Sequence, residues 1–268
     1  MIRRSWFSAL LAAALSLALA FLALPVVAIF TDTSPGTLIA RLSDPVATDA
    51  LQLSVETTAI AVAVIVLVGT PAAYALSARA FRGRATLITV LELPLVLPPA
   101  VAGLGLLAAL GPEGVLGGVL GDLHIQLVLQ TAGVVVALTF VSAPFYLRQA
   151  QASFEGIDRS LVQASRTLGA GEAATFLRVA VPVALPGLLA GLALSWGRAL
   201  GEFGATLMFA GSFRGITQTA PLAIYDQFAT DLPAALALAA VLVIISGALL
   251  LTVKLVAPRE AGLAGAVR

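Results

Sequence analysis

Six apolar blocks, at roughly 8–30, 52–78, 86–110, 127–147, 183–210 and 234–256, decide what this chain can fold into. A helix rises about 1.5 Å per residue, so about twenty apolar residues cross a hydrocarbon core of roughly 30 Å. Inside that core no water satisfies backbone N–H and C=O groups, and a lone segment can satisfy its own only as an α-helix. Charged residues make up 11% of the 268 positions, against about 25% in soluble domains. The sequence therefore predicts an all-α membrane protein with six transmembrane helices in one domain over 1–268. Its first span is 8–30, its core spans lie within 52–256, and a polar loop at 148–182 joins spans four and five. The start, MIRRSWF, followed by an apolar run from Ser8 to Phe30, resembles a signal peptide in plan. That run is longer than the 7–15 residues of a signal's apolar region and lacks a clear small-x-small cleavage site, so it is read as a span.

Basic residues orient the spans. With the N-terminus in the cytoplasm, the inner segments hold Arg3, Arg4, Arg79, Arg82, Arg84, Arg148, Arg159, Arg166, Arg178, Lys254, Arg259 and Arg268, and the outer segments hold only Arg41 and Arg214. Arg198 lies inside the fifth block. This bias predicts two cytoplasmic termini in a multi-pass cell-membrane protein, with the loop before span five also cytoplasmic. The net charge of +1 is spread between spans and gives no footing for nucleic acid.

Several chemistries are excluded or unsupported. The chain has no Cys, so disulfides and thiolate metal sites are ruled out. One His, His124, builds no metal centre alone. A P-loop needs a Gly-rich turn ending in GK[ST], and the only Lys, Lys254, is followed by Leu255. Energy from ATP would have to arrive through a partner. No catalytic residue and no resident cofactor are expected.

The segment Leu161–Pro182, LVQASRTLGAGEAATFLRVAVP, is polar in an otherwise apolar chain. Asp158 is a natural N-cap. Leu161, Ser165 and Leu168 share a helical face at i, i+4, i+7. Gly169 can take the positive φ that ends a helix, a second short helix fits Glu172–Arg178, and Pro182 marks re-entry to the membrane. An apolar ridge rimmed by Arg159 and Arg166 suits either insertion into a groove of a partner protein or an interfacial position on lipid.

A second informative stretch is RALGEFGATLMFAG, Arg198–Gly211. Arg198 and Glu202 at i, i+4 can pair within the span, as a packing device or as positive potential beside an anion pathway. Two rows of small residues, Gly187–Gly191–Ser195–Ala199 and Gly197–Gly201–Ala205, allow close helix approach. Pro94, Pro98 and Pro99 interrupt the third span one turn after Glu92, giving either a broken helix beside a pathway or a packing kink with Glu92 turned to Arg84, Arg82 or headgroup water. Glu92, Pro94, Pro98, Pro99, Arg198, Glu202 and Gly204 are thus candidates for the translocation pathway or for packing next to it. Tyr74, Tyr146, Trp6 and Phe145 fall near predicted span ends, where an aromatic belt is expected, and Tyr225 falls near the outer mouth.

These stretches resemble a known family. The loop matches the EAA pattern of ABC importer permeases, EAA-x3-G-x9-I-x-L-P, at Gln163, Ala164, Ser165, Gly169, Val179, Val181 and Pro182. Gln163 stands for the Glu, Ser165 for the second Ala, and Val for Ile and Leu. GEFGATLMFAG, LPLVLPPAVAG at Leu93–Gly103, GTPAAYALSAR at Gly69–Arg79 and PLAIY at Pro221–Tyr225 are similar to the molybdate branch of the molybdate, sulfate and tungstate permeases. The resemblance implies a type I ABC importer permease fold with a cytoplasmic EAA coupling helix between spans four and five. It implies a homodimer, two ATPase subunits that bind ATP and Mg, an extracytoplasmic binding protein, and a tetrahedral oxyanion as cargo: molybdate, with tungstate or sulfate/thiosulfate as alternatives. Asp158, Leu161, Gln163, Ala164, Ser165, Leu168, Gly169 and Pro182 become the ATPase-coupling residues. From other classes, an ion-coupled secondary transporter would have to use Glu92 and Glu202, and a membrane scaffold would need neither.

Overall fold

The computed structural model describes residues 2–78 and 81–256, with the side chains of 2–5, 253, 254 and 256 left aside. Arg79, Arg259, Arg268 and the tail after Pro258, and the side chains of Arg3, Arg4 and Lys254, lie outside the described residues. Among the described residues all regular structure is helical. The first half contains α1 (Ile2–Thr31), α2 (Pro35–Leu42), α3 (Pro45–Ala78), α4 (Arg84–Val96), α5 (Pro99–Leu110) and α6 (Gly117–Asp122). The second half contains α7 (Thr131–Glu155), α8 (Arg159–Thr167), α9 (Glu172–Thr175), a π-helical turn at Phe176–Ala180, α10 (Val181–Leu200), α11 (Gly204–Ala210), α12 (Ala220–Phe228) and α13 (Leu232–Val256).

Five helices are long and apolar enough to cross a bilayer, and α4 with α5 forms a sixth, broken unit whose axis turns by 117°. Packing shows why the broken unit must cross. Gly69 of α3 abuts Tyr146 of α7, and Arg84, which follows α3, reaches Glu155 at the end of α7, so α3 and α7 run parallel. The chain that leaves α3 at one end must therefore return to start α7 at the other, and α4–α5 supplies that crossing. α10 is antiparallel to α7: Gly187 lies beside Ser153, and Ser195 Oγ donates to Ser142 O at 2.9 Å. The far end is marked by Arg41–Asp231 at 2.9 Å and Arg214–Asp49 at 3.0 Å. α2, with eight residues, is too short to cross.

Two expected spans are interrupted. The block 86–110 is a broken helix, one of the two readings its prolines allow, and not one kinked helix. Pro98 occupies the N-cap and Pro99 the first turn of a new helix, where a missing N–H costs nothing because that group would be unpaired anyway. The break falls at Leu97–Pro98, while Pro94 is carried inside α4. The block 183–210 likewise ends its first helix at Leu200 and resumes at Gly204.

The core is built from small residues around α7. Ala61, Ala73, Ala137, Ala150, Ala199 and Ala205 are buried, as expected where lipid offers no hydrophobic drive and close van der Waals contact must hold helices together. The Gly187–Gly191–Ser195–Ala199 row is the α10–α7 seam: a Cβ on Gly187 would lie 1.8 Å from Ser153 Oγ, and one on Gly191 3.1 Å from Gln149 Cβ. The second row makes no single seam. Gly197 faces open space, Gly201 caps α10, and Ala205 belongs to α11. α1 packs on α13 and is otherwise exposed, which an all-apolar helix tolerates in lipid.

α5 crosses α11 backbone to backbone. A Cβ on Gly103 would sit 2.7 Å from both Ala205 O and Met208 Cβ, whereas Gly105 has nothing within 4 Å. Gly103→Leu is therefore expected to destabilise the purified protein by about 1–3 kcal/mol through overpacking, and Gly105→Leu to leave thermal unfolding in detergent unchanged. Equal melting of the two variants would contradict this packing.

Candidate coupling elbow and broken spans

The elbow between α7 and α10 is closed by local chemistry at each turn. Asp158 is the N-cap of α8, its Oδ1 accepting from Ser160 N–H at 2.8 Å. Donation from the Ser160 backbone, then its side chain, holds the Asp158 carboxyl below the ordinary carboxylate value. A lowered folded value means the cap's contribution is complete above the unfolded value and is lost as pH falls through the folded one, so it is intact at neutral pH. α8 ends in a Schellman arrangement: Gly169 N–H donates to Arg166 O at 2.9 Å, and Ala170 N–H to Ser165 O at 3.1 Å. Gly169 carries φ +86°, a conformation unfavourable for side-chain-bearing L residues.

The faces of α8 differ from the sequence expectation in one respect. Leu161 and Leu168 are exposed, at 44% and 88%, and Ala164 lies exposed between them. Ser165 does not join that ridge. It turns inward and its hydroxyl meets Thr175 Oγ1 at 3.0 Å, tying α8 to α9. Gln163 is exposed on a flank, and Arg166 pairs loosely with Glu172 at 3.6 Å. The second helix is shorter than expected: α9 stops at Thr175 and the chain widens into the π-helical turn, with Val181 N–H donating to Phe176 O. Pro182 follows directly. In a regular helix its ring would clash with the carbonyl four residues back, and the widened turn relieves that crowding.

The broken spans meet deeper in the protein. Glu202 sits in the gap between α10 and α11 and is 2% exposed. One carboxylate oxygen lies 2.6 Å from the Arg198 guanidinium, and the other accepts from Ala205 N–H at 2.6 Å. The cation is at the C-terminal turn of one helix and the anion at the N-terminus of the next, so both helix dipoles favour the arrangement. Gly204 is brought against Pro99, where a Cβ would come within 2.7 Å of the Pro99 ring. Thus Pro99, Arg198, Glu202 and Gly204 gather where the two breaks touch. Glu92 and Pro94 lie away from this point. Glu92 turns to Arg148 at 3.8 Å, not to Arg84 or Arg82, and Arg84 instead donates to Leu76 O at 2.6 Å and pairs with Glu155.

Other placements also differ. Tyr146 is no belt residue: it is buried, its hydroxyl 2.6 Å from Thr70 Oγ1. Tyr74 packs with Phe154 and Phe176 in an aromatic cluster under the elbow. Tyr225 is exposed and packs at a tilt against Phe203, the residue after Glu202. Sequence reading missed the hydroxyl layer of α3, in which Ser54 Oγ accepts from Ala220 N–H at 2.7 Å and Thr58 Oγ1 accepts from Trp196 Nε1 at 3.2 Å. The spacing Ser54–Thr57–Thr58 within an apolar block was the available signal. Among the described residues no group of three or more His, Asp or Glu is placed to hold a metal.

An all-helical, six-crossing subunit with a capped elbow before its fifth span has the type I ABC importer permease fold. Over 97% of its length the chain superposes on 98% of a chain in a bacterial ABC transporter involved in the import of the acidic polysaccharide alginate, with TM-score 0.75 and 16% identity. It matches a chain of the inward-facing MetNI methionine ABC transporter with TM-score 0.60 and 17% identity, covering 78% of this chain and 93% of that one. The chain belongs to the family of binding-protein-dependent transport system inner membrane components, matched over residues 65–261. It is 42% identical over 235 residues to the molybdenum transport system permease protein ModB of Mycobacterium bovis, covering 87% of this chain and 88% of that protein. With ModB of Escherichia coli K12 it shares 40% over 190 residues, 70% of this chain and 82% of that protein. It is a multi-pass transport subunit of an ABC importer.

The Arg198–Glu202 splice can be tested by a double-mutant cycle. Glu202→Gln alone leaves a partly buried cation without its counter-charge, and Arg198→Gln alone leaves a buried anion. The double variant is expected to recover about 1–3 kcal/mol relative to the sum of the singles. Additive melting shifts would mean that the two groups do not stabilise each other.

Proposed function

We propose that this chain is the permease of a molybdate importer, working as a homodimer with two ATPase subunits and an extracytoplasmic binding protein. The observation that carries the reading is the family membership joined to relatives named as molybdenum transport permeases at 40–42% identity. Tungstate and sulfate or thiosulfate are the alternative cargoes, since they share the tetrahedral dianionic shape.

In this reading the elbow faces the cytoplasm, as the arginine distribution favours, and the Leu161–Ala164–Leu168 ridge enters a groove on the ATPase. Gln163 and Pro182 bound the lever. ATP and Mg bind the partner, whose closure moves α8, and the core helices rock to open outward. Hydrolysis returns them. The few fixed positive charges of the spans let the anion leave as readily as it enters. Selectivity rests on the binding protein, and Glu92, Pro94, Pro98, Pro99, Arg198, Glu202 and Gly204 shape or brace the path.

The cargo is tested by reconstituting permease, ATPase and binding protein and measuring ATPase stimulation by binding protein loaded separately with molybdate, tungstate and sulfate. Molybdate is expected to stimulate most, and stimulation by sulfate alone would reassign the cargo. For the elbow, Gly169→Pro cannot adopt φ +86° and removes the N–H that bonds Arg166 O. It is expected to abolish uptake and ATPase co-purification, while Gly171→Ala, at φ −68° with open space around it, retains both. Normal coupling in Gly169→Pro would show that the elbow is not the docking element.

A further inference from the structure

Behind α8 lies a cavity of about 630 Å³, whose lining shares Gln163 with the coupling elbow. It sits where α3 and α7 end. Tyr74, Phe154 and Ile157 give it an apolar, aromatic part, with Val162 of α8 beside them, and Ser77 and Gln163 add polar side chains. Its rim is cationic: Arg84, Arg159 and Arg166 line it, against one carboxylate, Glu155. Arg84 is committed to Glu155 and to Leu76 O. Arg166 reaches Glu172 only at 3.6 Å, and Arg159 has no ion pair among the described residues. The lining therefore holds three arginines against one carboxylate; Arg159 is open to an incoming anion, and Arg166 would exchange its 3.6 Å pair with Glu172 for one.

We propose that this cavity binds the phosphate of an anionic phospholipid, with Arg159 and Arg166 on the phosphate oxygens and the apolar wall against the glycerol and first acyl carbons. The chemistry matches on both counts. Guanidinium groups present paired donors suited to phosphate oxygens, and a cationic group at a bilayer surface favours anionic over zwitterionic lipid. A soluble phosphate would satisfy the arginines and leave the aromatic wall unused, which is why a lipid is the favoured source. Because Val162 and Arg166 belong to α8, an occupied cavity would brace the elbow against the ends of α3 and α7. The site requires only that this end lie at a bilayer surface, and it stands whichever oxyanion is carried.

The test is native mass spectrometry of the delipidated full-length permease, alone and with its ATPase, titrated with phosphatidylglycerol, phosphatidylcholine or inorganic phosphate. Phosphatidylglycerol is expected to be retained over phosphatidylcholine. The variant Arg159→Gln/Arg166→Gln is expected to weaken its retention on the order of tenfold, from the usual contribution of a basic residue at an anionic surface. Arg159→Lys/Arg166→Lys should recover most of it. Arg178→Gln, an exposed arginine outside the cavity, should change nothing. Equal retention of the two lipids, or an unchanged double-Gln variant of native melting temperature, would overturn the site. Retention of inorganic phosphate without lipid, or loss of lipid on ATPase binding, would overturn the lipid assignment.

Discussion

The carboxylate of Glu202 holds together a structure that would otherwise come apart at its own breaks. A bilayer permits an interrupted helix only if the freed backbone groups find partners within the protein. At the gap between α10 and α11, Glu202 takes an N–H of the new helix with one oxygen and the Arg198 guanidinium with the other. The break in α4–α5 is handled by the opposite device: Pro98 and Pro99 bring no N–H groups, so the start of α5 has fewer donors to satisfy. The two breaks then pack on each other, Pro99 against Gly204 and Gly103 against Ala205. Each broken span is thus covered by the other, and a pair of helices too short to cross alone becomes part of one six-crossing body.

Around that point the packing follows from the solvent. Lipid gives helices no reason to associate through apolar area, so association depends on how closely backbones approach and on which polar groups they share. The α7–α10 seam uses both, with Gly187 and Gly191 removing side-chain bulk and Ser195 bonding Ser142 O. The α3–α7 contact repeats the pattern with Gly69, Thr70 and Tyr146. α7 therefore sits between two seams and is the least free of the long helices, while α1, with no such seam, is held mainly by α13 and its lipid-compatible surface.

What could be read from the sequence tracks how local the cause is. Six crossings follow from block length alone, and the ends of α8 follow from Asp158 and Gly169, since caps are set within a few residues. The Gly187 row was legible as a packing row because its period is fixed by the helix. Partner choice was not legible. Glu92 could reach several arginines, and only the antiparallel placement of α4 beside α7 selects Arg148. Ser165 shares a face with Leu161 on a helical wheel, yet the fold of α9 back onto α8 turns it to Thr175. The break at Gly201–Phe203 was hidden inside an apolar block, because hydropathy carries no record of which carbonyls a helix has lost. The Arg198–Glu202 spacing signalled a pair, but not that the pair would span a gap between two helices.

Under the proposed function a pull on α8 has a defined covalent and packed route. It passes through Ser165–Thr175 and the π-helical turn into α10, whose seam with α7 resists sliding, and ends at Glu202 and the α5–α11 crossing. The π-helical turn is the softest link on that route, because its i→i+5 hydrogen bond holds a wider and poorer geometry than the α-helix on either side. Beyond it α10 runs from Val181 to Leu200 with Pro186 inside it. Motion of the elbow is then absorbed as rotation at Phe176–Ala180 or transmitted whole through α10 to the breaks. The difference depends on how firmly Val162 and Ser165 hold the elbow to the ends of α3, α7 and α9. A filled cavity behind α8 would stiffen that hold, so the tightness of coupling in this chain would depend on the charge of the lipid around it as well as on the motor that grips it.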